Sequence, residues 1–263
     1  MLQAIIFDVD GTLRQSIIER QEAWFMHWAQ EHGREWLFES SEAFQKFYNK
    51  TVSETGLQGV YDALGLPGEI NDHAHPVWEA YSEFCEQHPV RLYSGVEETV
   101  KKIWERGSIE GTDPLNCRRV RLGINSSNTY KGIVQELQVI LPYFDTVMTS
   151  DFLRRYQGSG KGNVLTKPAT ISLALLLDLL QSEGKATIHV GDTLDDLAAS
   201  QKIVRHEPIP HYETLITVGA CYGYQGREVL EEGVETSSGR VHFDYLIEEP
   251  RELLPIVAER LKH

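Results

Sequence analysis

The chain has little of what several protein classes require. Of its 263 residues only three are cysteines. Cys85, Cys117 and Cys221 lie far apart, with no CxxC or zinc-ligand spacing. That excludes a disulfide scaffold and leaves reduced, buried thiols as the expectation. Basic residues are scarce too: 25 Lys and Arg stand against 39 Asp and Glu, a formal net charge of −14. Such a balance argues against a nucleic-acid partner, which selects a basic face. It leaves room for a small phosphorylated ligand held by a few local cations. No apolar run reaches transmembrane length, and the apolar opening is cut at Asp8 instead of following a basic region. A cytoplasmic protein with no membrane partner is the expectation. There is no internal repeat and no low-complexity tract.

What is present is concentrated at residues 4–13. The apolar run Ala4, Ile5, Ile6, Phe7 has strand length and delivers Asp8 and Asp10 into a Gly11-Thr12 turn. Strand alternation turns both carboxylates to the same side of the chain. Open α/β folds place their ligands at such strand ends. Two like charges at 4 Å repel by roughly 4 kcal/mol at an effective dielectric of 20. A cation, most simply Mg²⁺, is what holds them there ionised. Read alone, Asp10-Gly11 after an apolar run also suits a hairpin turn.

Asp8-Val9-Asp10-Gly11-Thr12-Leu13 resembles the first motif of the haloacid dehalogenase superfamily, in its phosphatase branch. The resemblance implies that Asp8 is the nucleophile and Asp10 the general acid and base. It also implies that Mg²⁺ is held by Asp8, the Asp10 carbonyl and Asp192, and that Gly11 and Thr12 bind phosphate through the turn amides. Three companions follow in order. A strand at 120–124 runs into Asn125, Ser126, Ser127 and Asn128. These residues suit an ordinary helix N-cap; they also match the second motif, with Ser126 as the phosphate-binding hydroxyl and Ser127 as the alternative one residue on. Lys167-Pro168, ahead of the apolar helix through Ile171, Leu173, Leu176 and Leu179, matches the third. Pro in a first helical turn is usual by itself. Lys131 and Lys161 precede no such helix and are weaker candidates. A strand at 186–190 ends in Gly191-Asp192, with Asp195 and Asp196 after it, and matches the fourth motif. There Asp196 supports the site behind the metal ligands and Asp195 is a solvated neighbour. His189, inside the strand, reads as a core residue.

Between the first strand and the rest lies a helical block. Helices are expected at 17–31, 42–48, 60–64 and 76–86, the third stopped by Gly65-Leu66-Pro67-Gly68. The aromatic residues Trp24, Phe25, Trp28, Phe44, Tyr48, Trp78, Tyr81 and Phe84 read as the core of this block. Asn49 and Lys50 mark a polar break between helices, an exposed loop with a weaker claim to touch substrate. The chain returns to the core at 91–96, where Tyr93-Ser94-Gly95-Val96 resembles the Tyr-Pro-Gly-Val junction of many of these phosphatases, and a helix is expected at 97–106. A loop is expected at 109–118 and a basic, glycine-containing loop at 151–162. The stretches 109–119, 151–166, 201–216 and 236–241 look like insertions. The tail, with Tyr222-Gly223-Tyr224 before a last strand and helix, resembles the phosphoglycolate phosphatase group.

The fold expected is a doubly wound, Rossmann-like α/β core with a parallel sheet, made by residues 1–16 and 92–263, and an inserted all-helical cap at 17–91. The function the resemblance implies is a Mg²⁺-dependent phosphatase acting on a small phosphorylated metabolite, phosphoglycolate foremost. Asp10 argues against a dehalogenase or phosphonatase. The alternatives are a β-phosphoglucomutase-like mutase, disfavoured by Thr12 where mutases commonly have Val, and a non-catalytic binding protein on the same fold.

Overall fold

The computed structural model describes residues 1–16, 20–34, 40–68, 76–106, 120–157, 165, 167–205, 209–237 and 239–262. The expected loop at 109–118, Cys117, Lys161 and residues 17–19 of the first expected helix lie outside that set. The chain divides into two compact units, Met1–Gln15 with Arg91–His263, and Ser16–Val90.

The first unit is a doubly wound α/β fold. Six parallel strands stand in the order Tyr245–Ile247, Ile216–Ala220, Thr187–Gly191, Ala4–Phe7, Arg121–Asn125, Thr146–Met148. Parallel sheets are covered on both faces, so their strands are apolar throughout. Ala4–Phe7 is buried along its whole length. Its residues divide by parity, as strand geometry requires. Ile5 and Phe7 pack with Leu122, Val100, Ile103 and Val257; Ala4 and Ile6 pack with Leu173, Leu176, Leu177 and Met148. From Ala4–Phe7 the chain builds outward on one side through Arg121–Asn125 and Thr146–Met148. It then returns to build the other side from Thr187–Gly191. The order therefore reverses between Ala4–Phe7 and Thr187–Gly191, and ligands bind at the carboxyl edge of such a switch point.

Several local expectations are corrected. The stretch after Thr146–Met148 is a helix, Ser150–Gln157, as far as residue 157, with Asp151 in its first turn. An acidic first turn suits the helix dipole, which outweighs the basic and glycine-containing look of the segment. The helix after Lys167 starts at Ile171, so Pro168 sits in the turn ahead of it and not in its first turn. The stretches 201–216 and 236–241 carry short antiparallel pairings, Ile203–Arg205 with His211–Glu213, and Val234–Thr236 with Gly239–Val241.

The second unit contains the helices Glu22–Glu31, Ser41–Leu64 and Val77–Gln87. The separate helices expected at 42–48 and 60–64 are one helix, and Asn49 and Lys50 lie inside it, not in a loop. No proline interrupts 41–64, and Gly56 and Gly59 cost only about 1 kcal/mol each in a helix interior. Its ends are well signed. The Ser40 hydroxyl accepts from the Ala43 amide at 3.2 Å, and Gly65 takes the left-handed conformation at φ 65°. The aromatic stripe is interior: Phe25 packs on Phe44, Tyr48 and Tyr61, and Trp24 on Tyr81 and Phe84. The side chain of Trp78 is outside the description.

Candidate active site

The end of each central strand contributes to one buried ionic cluster. Asp8 follows Ala4–Phe7, its amide bonded to the Val190 carbonyl of the adjacent strand at 2.9 Å. Asp192 follows Thr187–Gly191, and Asp196 lies one turn into the helix Leu194–Ala199. All three carboxylates are buried, and each offers an oxygen within 4.8 Å of the others. Lys167, from the turn before Ile171–Leu179, closes the cluster: its ammonium contacts Asp8 and lies 2.6 Å from Asp196.

Sequence chemistry explains each placement. Thr193 caps the helix Leu194–Ala199 in a capping box, its hydroxyl and amide both bonded to the Asp196 carboxylate at 2.6 and 3.1 Å. Asp196 therefore faces back toward the strand end. Asp192 has both oxygens engaged. Thr12 Oγ1 donates to Oδ1 at 3.1 Å, and the Tyr224 amide donates to Oδ2 at 2.8 Å. Gly11 and Gly223 border it so closely that a Cβ at either would collide with its side chain. Gly11 also has φ 88°, which a side chain disfavours.

Burial without solvent penalises every one of these carboxylates. It pushes Asp8 up to about 7 against the pull of Lys167, and raises Asp192 well above the carboxylate range, with Asp8 and Asp196 adding to the effect. Asp196 is also penalised by burial, yet Lys167 foremost holds it below the usual value. For Lys167 burial opposes the charge, and Asp196 and Asp8 overcome it, so the ammonium titrates above its ordinary range. One lysine against three crowded carboxylates leaves the site short of positive charge. Asp8, Asp192 and Asp196 present hard oxygen donors of the kind divalent cations such as Mg²⁺ take, so a cation fits here on charge and chemistry.

The other expected residues are dispersed around this cluster. Asp10 is held by other partners: Arg14 Nε donates to its Oδ1 at 2.8 Å, and Asn128 Nδ2 approaches Oδ2 at 3.4 Å. Ser126 is buried at the end of the neighbouring strand, its Oγ accepting from the Asn128 amide at 3.0 Å, whereas Ser127 is exposed. The amides of Gly11 and Thr12, expected to bind phosphate, donate inside the turn to the Arg14 and Val9 carbonyls at 2.9 and 3.3 Å. Thr12 also bonds to Asp192, and Gly11 borders it. Asp195 and Lys131 are exposed. His189 is buried, its Nδ1 2.7 Å from Ser200 Oγ, and burial pushes it down to about 4.

Sequence reasoning missed Arg14, Asn128, Glu136 and the latch at 222–224. Tyr222 donates from its hydroxyl to the Thr12 carbonyl at 3.1 Å, and burial, then the Asp192 charge, raises it. The available signal was an arginine directly after the apolar Leu13, four residues beyond Asp10.

An acidic cluster with one lysine, at the switch point of a doubly wound parallel sheet, is the kind of site at which α/β enzymes bind their ligands, and its three carboxylates could hold a divalent cation. The chain belongs to the haloacid dehalogenase-like hydrolases, whose family model matches residues 2–203. No curated protein sequence matches it. Solved structures do. A predicted phosphoglycolate phosphatase from Haemophilus somnus aligns at TM-score 0.64 and 17% identity, over 97% of this chain and 97% of that one. A haloacid dehalogenase-like hydrolase from Streptococcus pneumoniae aligns at 0.60 and 16%, over 97% and 98%. A candidate β-phosphoglucomutase from Thermotoga maritima aligns at 0.60 and 17%, over 98% and 99%. At such identities these likenesses describe the fold.

Proposed function

We propose that the chain is a Mg²⁺-dependent phosphatase of small phosphorylated metabolites, working through an aspartyl phosphate on Asp8, with phosphoglycolate the leading substrate. The observation that carries this reading is Asp8 at the switch point, gripped by Lys167 and flanked by Asp192 and Asp196. Asp8, Asp192 and the Asp10 carbonyl are the residues that would hold Mg²⁺, with Asp196 supporting Lys167 beside them. When bound, the ion supplies charge neutralisation for the carboxylates and the phosphoryl oxygens.

The chain's own residues do the rest. An oxygen of Asp8 attacks phosphorus in line, the ester P–O bond breaks, and the leaving oxygen takes a proton from Asp10. Lys167 and the Ser126 hydroxyl stabilise the equatorial oxygens. Water then attacks the phosphorus of the aspartyl phosphate and gives its proton to Asp10. The P–O bond to Asp8 breaks, its electron pair returns to the Asp8 carboxylate, and inorganic phosphate leaves. The helical unit is read as a cap that excludes water and selects the leaving group. The bond from Thr12 Oγ1 to Asp192 is one that Val, common in the mutases, cannot make, which supports hydrolysis over phosphoryl return.

The test is phosphate release from phosphoglycolate, sugar phosphates, nucleoside monophosphates and a phosphopeptide, with and without a chelator. Highest kcat/KM on a small metabolite, lost on chelation and restored by Mg²⁺, is expected. A phosphopeptide preferred by a wide margin overturns the substrate class, and full activity after exhaustive chelation overturns the metal.

A further inference from the structure

Arg14 is a buried cation that the scheme above does not use. Its side chain is 0% exposed. Nε donates to Asp10 Oδ1 at 2.8 Å, and Nη1 contacts the Glu136 carboxylate and donates to the Gly132 carbonyl at 3.2 Å. Its backbone is fixed as well, the amide on the Val9 carbonyl at 3.0 Å and the carbonyl receiving the Gly11 amide at 2.9 Å. Asp10's second oxygen meets Asn128 Nδ2 at 3.4 Å. Asn128 is anchored in turn, its Oδ1 accepting from the Thr129 amide at 2.7 Å and its own amide donating to Ser126 Oγ at 3.0 Å. The carboxylate of Asp10 is thus held from two sides, by its own turn and by the turn that carries Ser126.

A planar guanidinium with separate N–H groups on two carboxylates fixes direction as well as charge, which an ammonium cannot do. Burying the pair costs several kcal/mol that an apolar residue at position 14 would not. A cost of that size beside the reacting groups points to a role in the reaction. We propose that Arg14, braced by Glu136, is a positioning residue that with Asn128 aims the Asp10 carboxylate at the water that hydrolyses the aspartyl phosphate. The inference rests on the phosphatase reading. It concerns the second half-reaction: the water proton goes to Asp10, the new P–O bond forms, and the electron pair of the broken one returns to Asp8.

The step can be isolated with p-nitrophenyl phosphate, whose leaving group departs as a stable anion and so asks nothing of Asp10 in the first half-reaction. The double variant Arg14→Met/Glu136→Leu replaces the ion pair by apolar groups of similar volume, a change proteins often tolerate. Arg14→Lys keeps the charge but lacks the fork. Thermal unfolding confirms that each variant is folded, and the Lys variant decides if the double one is not. Expected is a fall in kcat of about 10²-fold, the lower end of what a positioned acid or base contributes. KM should fall with it, leaving kcat/KM within a few-fold of wild type. A rapid burst of p-nitrophenolate and a phosphoryl adduct on Asp8 after acid quench should accompany that split. The Lys variant should show the same pattern more weakly. Equal loss in kcat and kcat/KM without the adduct, or no change in either, overturns the proposal. If the wild-type protein turns over no phosphomonoester at all, the phosphatase reading falls first and is recognisable as the cause.

Discussion

In the helical unit the buried side chains are largely rings and aliphatics: Trp24, Phe25, Phe44, Tyr61, Leu64 and Phe84. At comparable depth along the carboxyl edge of the sheet, the α/β unit holds Asp8, Arg14, Asp192 and Asp196, with Lys167 close behind. Buried aromatic contact is stabilising and asks for no partner chemistry. Buried like charges destabilise unless something offsets them. Comparing the two interiors shows where stability has been given up. It is given up where strand ends meet at the switch point; the helical unit buries the charged Arg20 and Glu22, but among its described residues it holds no such cluster of carboxylates.

The largest expected effect breaks that comparison by making the sheet edge more like the helical interior. Asp8→Asn should abolish turnover, on the order of 10⁴-fold or more, as loss of a nucleophile does. The same change should stabilise the metal-free protein. Burial raises folded Asp8 from 3.8 to about 7. The folded chain therefore holds that proton more tightly than the unfolded one, and wild-type stability falls as pH rises from about 4 through 7. The Asn variant lacks that slope. Melting temperatures in chelator should be alike near pH 4 and favour the variant increasingly toward pH 7.5. A variant that melts lower than wild type across this range would refute the account of the cluster as a source of strain.

A second change sharpens the contrast from the other side. Phe25 is 2% exposed and touches three rings. Phe25→Ala should cost about 3–5 kcal/mol, the usual penalty for emptying an aromatic site. The loss belongs to the helical unit. Amide exchange should accelerate in Glu22–Glu31 and Ser41–Leu64 while the strand Ala4–Phe7 keeps its protection. Equal acceleration in both units would show that their stabilities are coupled.

The same division governs what was legible in the sequence. Strand ends in the α/β unit announce themselves, because an apolar run must stop where a charge begins. Asp8 and Asp192 were placed by that rule, and the parallel sheet with them. Lys167 needed the family resemblance, since a lysine before a proline is ordinary. Partners brought together by the fold were not legible: Arg14 and Glu136 are 122 residues apart, and no local pattern joins them. The long helix Ser41–Leu64 reads as two in the sequence because Asn49 and Lys50 make a polar break, and asparagine has modest helix propensity. Aromatic packing from Phe25 holds both of its halves, through Phe44 and Tyr48 on one side and Tyr61 on the other, and it overrides that local preference.

The smallest expected effect compares the same device in the two units. Ser40 and Thr193 are both N-cap residues, each accepting from the backbone amide three positions on, at 3.2 and 3.3 Å. Ser40 is exposed and its hydroxyl serves the helix end. Ser40→Ala should cost about 1 kcal/mol, read as a lowered unfolding midpoint, and Ser40→Asp should restore it because a carboxylate suits a helix start. Phosphate release by the folded protein should be unchanged in both. Thr193 carries a second duty. Its hydroxyl and amide hold the Asp196 carboxylate whose other oxygen meets Lys167. Thr193→Ala should cost about the same in stability by the capping argument, yet it frees Asp196 to turn from Lys167. Its turnover should therefore fall where that of Ser40→Ala does not. Two caps of like energy and unlike kinetic consequence are what a chain divided between packing and chemistry should show. If Thr193→Ala loses stability alone, the grip on Asp196 contributes nothing to the reaction.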